Sequence, residues 1–551
     1  MKILIVQLLR LGDILISSPV IQGLRDQNPN CEIDLLINRQ FESVVSLLPK
    51  IDHCFFFDRN EIQSSLGEKS RFVFEAFDRV ELLVADLQDR QYDSVINLTH
   101  NKLSAYIVGA INCTSRVGLW FDDSGRPQIE SAWFEHLDLD QKKASFECFH
   151  FVDVYKGSVG IDRPRLGISL QSLESLKSEK TKRQTGASPQ VVIQALTSDS
   201  KKNWGLKRFI SCVELINESI PGCSFIILGA PSEEKLLQEA FINHPLCLIL
   251  ICDLPTAHQV ISNSDLLITG DTSIKHLAAS TATPIIELSM GSSEFRRTGC
   301  YSENAIIIQS NEECAPCTHS QSCHRSQHFC SSRISPDLVS LVAFDLIRNK
   351  SLHLRAIAEE FSDEAKIFRV DIQSTGTWMA VDATKNDPKE QMLFLIRKFA
   401  TKLFIQHRSN EKNVFEVFGS ESEKFRRLLN QFYRETATVT KNSILANLEK
   451  SLSSYDTALE VIETQYYNYR FARNSNEKCM ALLRELRFLT EIIDPSEVIQ
   501  NDRSTTLKSE DSLFVNLRKV QMTIRDLKLR SQIELKLVRS LQINLQKGVE
   551  V

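Results

Sequence analysis

Three polar segments, each directly after a short apolar run, carry the residue types that group-transfer chemistry needs. The first is RLGDILISSP, Arg10 to Pro19. Gly12 permits a tight turn, Asp13 follows it, and the apolar run beyond begins a helix whose partial positive end favours an ionised carboxylate. A general base needs that placement, and an Asp that only caps the helix needs it equally. The second segment is LTSDSKKNWGLKRF, Leu196 to Phe209, with the hydroxyls of Thr197 and Ser198, the Lys202 cation for a diphosphate, and the Trp204 ring to pack the loop. A solvated lysine pair is the alternative there. The third is GDTSIKHLAA, Gly270 to Ala279, where Asp271, Thr272 and Ser273 stand at a helix start whose free amides and hydroxyls can hold phosphate oxygens. His276 comes one turn later and either faces the same cleft or is solvated beside a plain capped helix.

A fourth segment gathers four of the 14 cysteines, Cys314, Cys317, Cys323 and Cys330, at C-x2-C-x5-C-x6-C spacing. Four thiolates satisfy a tetrahedral zinc or iron ion, Pro316 stiffens the first chelate loop, and His324 or His328 could replace one thiol. A site closed by four ligands leaves no position for substrate, so such a metal is structural; separately, no cofactor is expected to be required for catalysis. Reduced, packed thiols are the other reading, because the spacing is not that of a standard zinc finger.

The elements that must position these segments follow from periodicity. Lys2–Val6, Ile33–Ile37 and Ser94–Leu98 have strand length and composition, with helical spacing at Pro19–Arg25 and Arg39–Leu48. Five further runs, Val191–Ala195, Ser224–Leu228, Leu248–Cys252, Asp265–Thr269 and Pro284–Leu288, alternate with helical patterns at 206–217, 233–242, 257–262 and 274–280. The rhythm predicts an α/β protein with two doubly wound domains, 1–180 and 188–349, separated by a polar linker from Leu176 and facing a cleft. Residues 350–551 are expected to form a mainly helical extension, with one hairpin at Phe368–Val381 around Thr375-Gly376. Its last helix, Ser512 to Gly548, carries eight Lys or Arg against Asp526 and Glu534. Packing within its own domain is the default for that helix, with contact to an anionic inner-membrane face as the alternative.

Charge and hydropathy narrow the function. Residues 1–350 carry 34 Lys and Arg against 42 Asp and Glu, and residues 351–551 carry 31 against 28. Neither balance is that of a nucleic-acid binder. No stretch approaches the roughly 18 uncharged apolar residues of a membrane span. MKILIVQLL imitates a signal peptide, but Arg10 and Asp13 interrupt it, so the expectation is a cytoplasmic protein whose first strand begins at Lys2.

In order and spacing the segments resemble glycosyltransferase family nine, the ADP-heptose:lipopolysaccharide heptosyltransferases, over about residues 1–345. The family's [RS]-x-GD-x5-P opening corresponds to RLGDILISSP, its K-x-W loop to Lys202-Asn203-Trp204, its G-x-P-x-E segment to GAPSE from Gly229, and its DTG-x-x-HLAA segment to DTSIKHLAA. The resemblance implies a GT-B fold with acceptor on the N-terminal domain and nucleotide-sugar on the C-terminal one. It implies inverting transfer of heptose from ADP-heptose to a lipopolysaccharide core, another surface glycan or a protein. It makes Asp13 the base, places Lys202, Asp271, Thr272 and His276 at the diphosphate, and sets Glu233, or equally Glu234, near the ribose. A C-x-P-C start occurs in similar family members, and a four-cysteine iron site in autotransporter heptosyltransferases. Two departures stand out: Ser273 replaces the family glycine, and Asn97-Leu98-Thr99-His100-Asn101 replaces an acceptor-side D-x-Q-G-N segment. A relative using another nucleotide-sugar and a noncatalytic assembly protein are the alternatives.

Overall fold

The computed structural model describes residues 1–384 except 60–61, 63–71, 140–148, 162, 164–165, 172–187, 318–321, 324, 326–327 and 373–376, and only isolated positions beyond 384. Two compact units divide the chain. The first, residues 1–134 and 149–385, holds both sheets and every candidate residue above. The second, residues 135–148 and 386–551, lies almost wholly outside the described residues, and the basic helix near the C-terminus falls with it.

The first sheet has six strands in the order β3-β2-β1-β4-β5-β6. They are β1 (Lys2–Gln7), β2 (Glu32–Asn38), β3 (His53–Phe57), β4 (Ser94–Asn97), β5 (Ser115–Phe121) and β6 (Pro127–Glu130), parallel except for the β5–β6 pair. Ile3, Leu4, Ile5 and Val6 of β1 are all buried, the continuous apolar run expected of a strand covered by helices on both faces. The chain winds outward from β1 through β2 to β3 and then returns to β4 on the other side, so the order reverses between β1 and β4.

The second sheet repeats that logic in the order β14-β13-β12-β11-β10-β7-β8-β9. Its parallel part comprises β7 (Gln190–Gln194), β8 (Ser224–Gly229), β9 (Cys247–Ile251), β10 (Leu266–Gly270), β11 (Ile285–Ser289) and β12 (Ala305–Ser310), and its order reverses between β7 and β10. In open α/β sheets ligands bind beyond the carboxyl ends of strands at such reversals. The loops after β1, β7 and β10 are the three segments singled out by residue type. Two doubly wound α/β sheets of this kind constitute a GT-B architecture.

The boundary expected at residue 350 needs correction. Strands β13 (Ala365–Asp371) and β14 (Met379–Asp382) form the antiparallel pair read from Phe368–Val381, but β13 also pairs with β12 and so extends the second sheet. Leu354, Ile357 and Ala358 of the preceding helix are buried in the same core as Val191 and Ile268. Edge pairing to β12 is a long-range contact, and a hairpin pattern read locally does not reveal which strand will accept it.

Candidate active site

Asp13 lies in the first turn of the helix Leu11–Gln27, where its carboxylate accepts the Arg10 backbone N–H at 3.1 Å. The helix therefore begins three residues earlier than the apolar pattern suggests, and Gly12 makes no tight turn. Its missing side chain has another use: a Cβ there would stand 3.0 Å from Cδ2 of His276 and 3.8 Å from Cα of Ser273. Glycine allows the helix after β1 to meet the helix after β10 across the two sheets. Burial pushes the Asp13 carboxyl up, its Arg10 N–H bond and the Arg10 charge pull it back, the nearby Asp271 carboxylate raises it and Lys202 lowers it. Asp13 thus lies within electrostatic reach of both Asp271 and Lys202.

The loop after β7 folds tightly on itself. Thr197 Oγ donates to the Asp199 carbonyl at 2.7 Å and the Thr197 N–H donates to Asn203 at 2.8 Å, while Ser198 is exposed. Trp204 is buried and its indole N–H donates to the Ile334 carbonyl at 2.8 Å, which anchors the loop to the core. The anchor fixes Lys202, whose Nζ donates to Asp271 at 2.6 Å. Lys202 is buried, so the solvated-lysine reading does not describe it.

Asp271 is the pivot of a buried charge network. One of its oxygens accepts from Lys202 and the other from Lys275 at 2.5 Å, and Lys275 donates in turn to Glu287 at 2.6 Å. Glu287 also accepts the Cys300 backbone N–H at 2.7 Å. Burial opposes ionisation of Asp271, but the Lys275 and Lys202 cations overcome it and hold the carboxyl well below the ordinary range. Burial opposes charge on Lys275 as well, and Asp271 and Glu287 outweigh it, so the ammonium is held above its ordinary value.

Thr272 caps the helix Ser273–Ala278, its hydroxyl accepting from the Ile274 N–H at 3.2 Å and lying 3.3 Å from the Thr269 hydroxyl. Ser273 has ordinary helical backbone rather than the left-handed conformation that would call for glycine. His276 is buried, and its Nδ1 has no hydrogen-bond partner among the described residues. Burial, then the Lys275 and His150 charges, drive its pKa well down, so it is a neutral imidazole rather than a solvated cation. Glu233 folds back to accept the Ala230 N–H at 2.9 Å, whereas Glu234 points along its helix to Gln238. At the end of β4 Asn97 is spent on structure: its amide donates to the Leu119 carbonyl at 2.6 Å and its oxygen accepts the Thr99 N–H at 3.1 Å.

Sequence reasoning missed Lys275, Glu287, Asp199 and Ser292. Ser292, after β11, donates to Asp199 at 2.8 Å and joins the loops after β7 and β11. Gly291 has φ +60, and a Cβ there would lie 2.2 Å from the Lys201 carbonyl oxygen, so only glycine lets these loops close. Two signals were available: the Asp271–Lys275 spacing of four on a helix, and a lone Glu287 inside the apolar strand IIELS, which demands a partner.

The four clustered cysteines are free thiols. Burial raises the Cys330 thiol, and Cys314, Cys317 and Cys323, within electrostatic reach of it, add to that rise. The Cys317 N–H donates to the Gly291 carbonyl at 2.8 Å, which docks this segment on the donor loop. Among the described residues, however, no three His, Cys, Asp or Glu side chains are grouped to hold a metal ion.

With the geometry established, residues 81–328 match the model of glycosyltransferase family 9 (heptosyltransferase). The match spans 248 of the chain's 551 residues. The family 9 span contains Lys202, Asp271, Lys275, His276 and Glu287, and Asp13 precedes it. A lipopolysaccharide heptosyltransferase 3 of Escherichia coli strain K12 is 23% identical over 295 residues, covering 50% of this chain and 79% of that protein. A lipooligosaccharide heptosyltransferase 2 of Haemophilus influenzae is 24% identical over 322 residues, covering 56% and 88%. These relatives are glycosyltransferases, and the family 9 region places this chain in the same enzyme class. Among solved structures, a family 9 glycosyltransferase from Veillonella parvula matches with a TM-score of 0.47 and 17% identity, over 63% of this chain and 97% of that one.

Proposed function

We propose that the chain is an inverting glycosyltransferase that moves heptose from ADP-heptose to a hydroxyl of a lipopolysaccharide core, another surface glycan or a protein. One observation carries the reading: the turn bearing Asp13, beyond the first sheet, meets the helix after β10, with a Cβ on Gly12 only 3.0 Å from His276, which brings Asp13 within electrostatic reach of Lys202 and Asp271. Inverting transfer needs a base on one side of the anomeric carbon and charge stabilisation of the leaving diphosphate on the other. In this reading Asp13 takes the proton of the acceptor hydroxyl as its oxygen bonds to the anomeric carbon. The bond to ADP breaks in the same step, and Lys202 receives the diphosphate charge. Thr197, Ser198, Asp271, Thr272, Ser273 and His276 complete the donor side, with Glu233 at the ribose. Support for heptose comes from the motif resemblance and from the similar heptosyltransferases.

The test is Asp13→Asn. It should retain ADP binding and lose transfer by about 100-fold to 10,000-fold, the usual contribution of a positioned base. Transfer near the wild-type rate would refute the assignment. A family member with a different sugar or acceptor is the second reading, favoured by the neutral, structurally committed Asn97. A panel of nucleotide-sugars in a thermal-shift assay separates the donors, since a ligand that binds only the folded state raises its melting temperature. Donor hydrolysis without acceptor separates either enzyme from a noncatalytic relative.

Two further expectations are separate proposals. A structural zinc or iron at Cys314, Cys317, Cys323 and Cys330 is supported by the proximity of four free thiols, and elemental analysis of the purified chain decides it. A cytoplasmic location is the second, with the basic C-terminal segment packed within its own domain and peripheral contact at the inner membrane face as the alternative. The full chain should remain mostly in the supernatant with anionic vesicles, and strong salt-sensitive pelleting lost on truncation at Ser512 would establish the membrane contact.

A further inference from the structure

Lys202, Asp271, Lys275 and Glu287 form an unbroken buried chain of alternating charge. Asp271 gives one oxygen to each lysine, at 2.6 Å to Lys202 and 2.5 Å to Lys275, and Lys275 spans on to Glu287 at 2.6 Å. Exposure falls along the chain: the Lys202 and Asp271 side chains are each 10% exposed, those of Lys275 and Glu287 0%. The two cations balance the two anions. Lys202 is the end that a ligand can reach, and Lys275 has no route to one.

We propose that Lys275 is a positioning residue that frees Lys202 to bind the diphosphate of the donor, an inference that rests on the donor reading above. A phosphate oxygen that recruits Lys202 draws it away from Asp271. A buried carboxylate deprived of its cation is costly, and here it would also face the arriving anion. Lys275 removes that cost because it keeps a second cation on Asp271 whether or not Lys202 is engaged. Glu287 balances Lys275 in turn, so a fully buried ammonium is present without surplus charge. Without Lys275, Asp271 would hold Lys202 for itself and repel the diphosphate.

The experiment measures binding of ADP and of adenosine, which lacks the diphosphate, to the full chain. Lys275→Met/Glu287→Gln removes the inner pair together, so no buried charge is orphaned. It should weaken ADP binding by about tenfold or more, the scale of one charge-assisted hydrogen bond, with adenosine binding unchanged. Adding Asp271→Asn to that background removes the carboxylate that competes for Lys202 and should restore most of the ADP affinity. Should the first variant fail to fold, Lys275→Gln/Glu287→Gln makes the same charge change while keeping polar groups in place. Wild-type ADP affinity in the paired variant, equal loss of ADP and adenosine, or no recovery with Asp271→Asn would each overturn the inference. Lys202→Ala distinguishes that failure from failure of the donor reading: unchanged ADP affinity in this variant would remove the diphosphate site itself.

Discussion

Two buried polar networks lie in the same unit, and they end differently. The donor-side chain runs from Glu287 out to Lys202 and stops at a side chain with residual exposure. The second network joins the helix Phe151–Ser158 to the second sheet and closes on itself. There Asp153 accepts from the Tyr301 hydroxyl at 2.7 Å and from the Trp378 backbone N–H at 2.8 Å, Lys156 donates to Tyr301 at 3.0 Å and to the Leu166 carbonyl at 3.1 Å, and His150 bonds the Gly299 carbonyl at 2.9 Å. A network whose groups are all committed to fixed neighbours holds structure, while one that ends on a cation at a strand terminus can exchange that partner for a ligand. Burial alone does not separate the two cases, because the Asp153 and Lys156 side chains are more deeply buried than those of Lys202 and Asp271.

The sharpest way to break this comparison is Asp153→Ala. It leaves Lys156 and the Trp378 N–H without their carboxylate, and unfolding stability should fall by about 3–5 kcal/mol in a denaturant titration. ADP affinity of the protein that remains folded should be unchanged. A large loss of ADP affinity with little loss of stability would reverse the roles assigned to the two networks.

The closed network also sets a pH dependence. Burial lowers the His150 pKa to about 4, against the partly compensating Asp153 charge, and its Nδ1 accepts the Val152 N–H, which a protonated ring would no longer allow. The unfolded chain binds this proton near pH 6.5 and the folded chain only near 4. Stability should therefore fall as pH drops through that window, by roughly 3 kcal/mol from this residue. Denaturant midpoints measured from pH 7 to 4.5 give the slope, and His150→Gln should flatten it. An unchanged slope in the variant would mean that His276, whose pKa is also well depressed, carries the effect.

On the open network the expected effects are smaller and appear in binding. Lys202→Ala should weaken ADP by roughly 1.5–3 kcal/mol with a lesser change in stability, as read by calorimetry beside a thermal melt. Thr272→Val removes the helix cap and should cost about 1 kcal/mol of stability. A greater loss in ADP affinity than in stability would show that the hydroxyl meets the ligand as well as the helix.

Much of the frame was legible in the sequence. The apolar runs that became β1, β2, β4 and β7 to β11 stand out because parallel strands covered on both faces must be continuously apolar, and this places the polar loops after β1, β7 and β10 without any structure. Strands β3, β5, β6 and β12 were not evident, and β13 and β14 were assigned to the wrong region. Sheet membership depends on which distant strand accepts the edge, and a local pattern carries no record of that choice.

The site divides along the same line. Sequence determined which side chains stand at strand ends and in what order, since residue type and the strand-then-loop rhythm are local properties. Tertiary structure decided which of them meet. The approach of Gly12 to His276, the pairing of Lys202 with Asp271 and the pairing of Lys275 with Glu287 all join residues on different elements. Each is set by how two sheets and their helices pack, because a buried charge takes its partner from whatever the fold brings within reach.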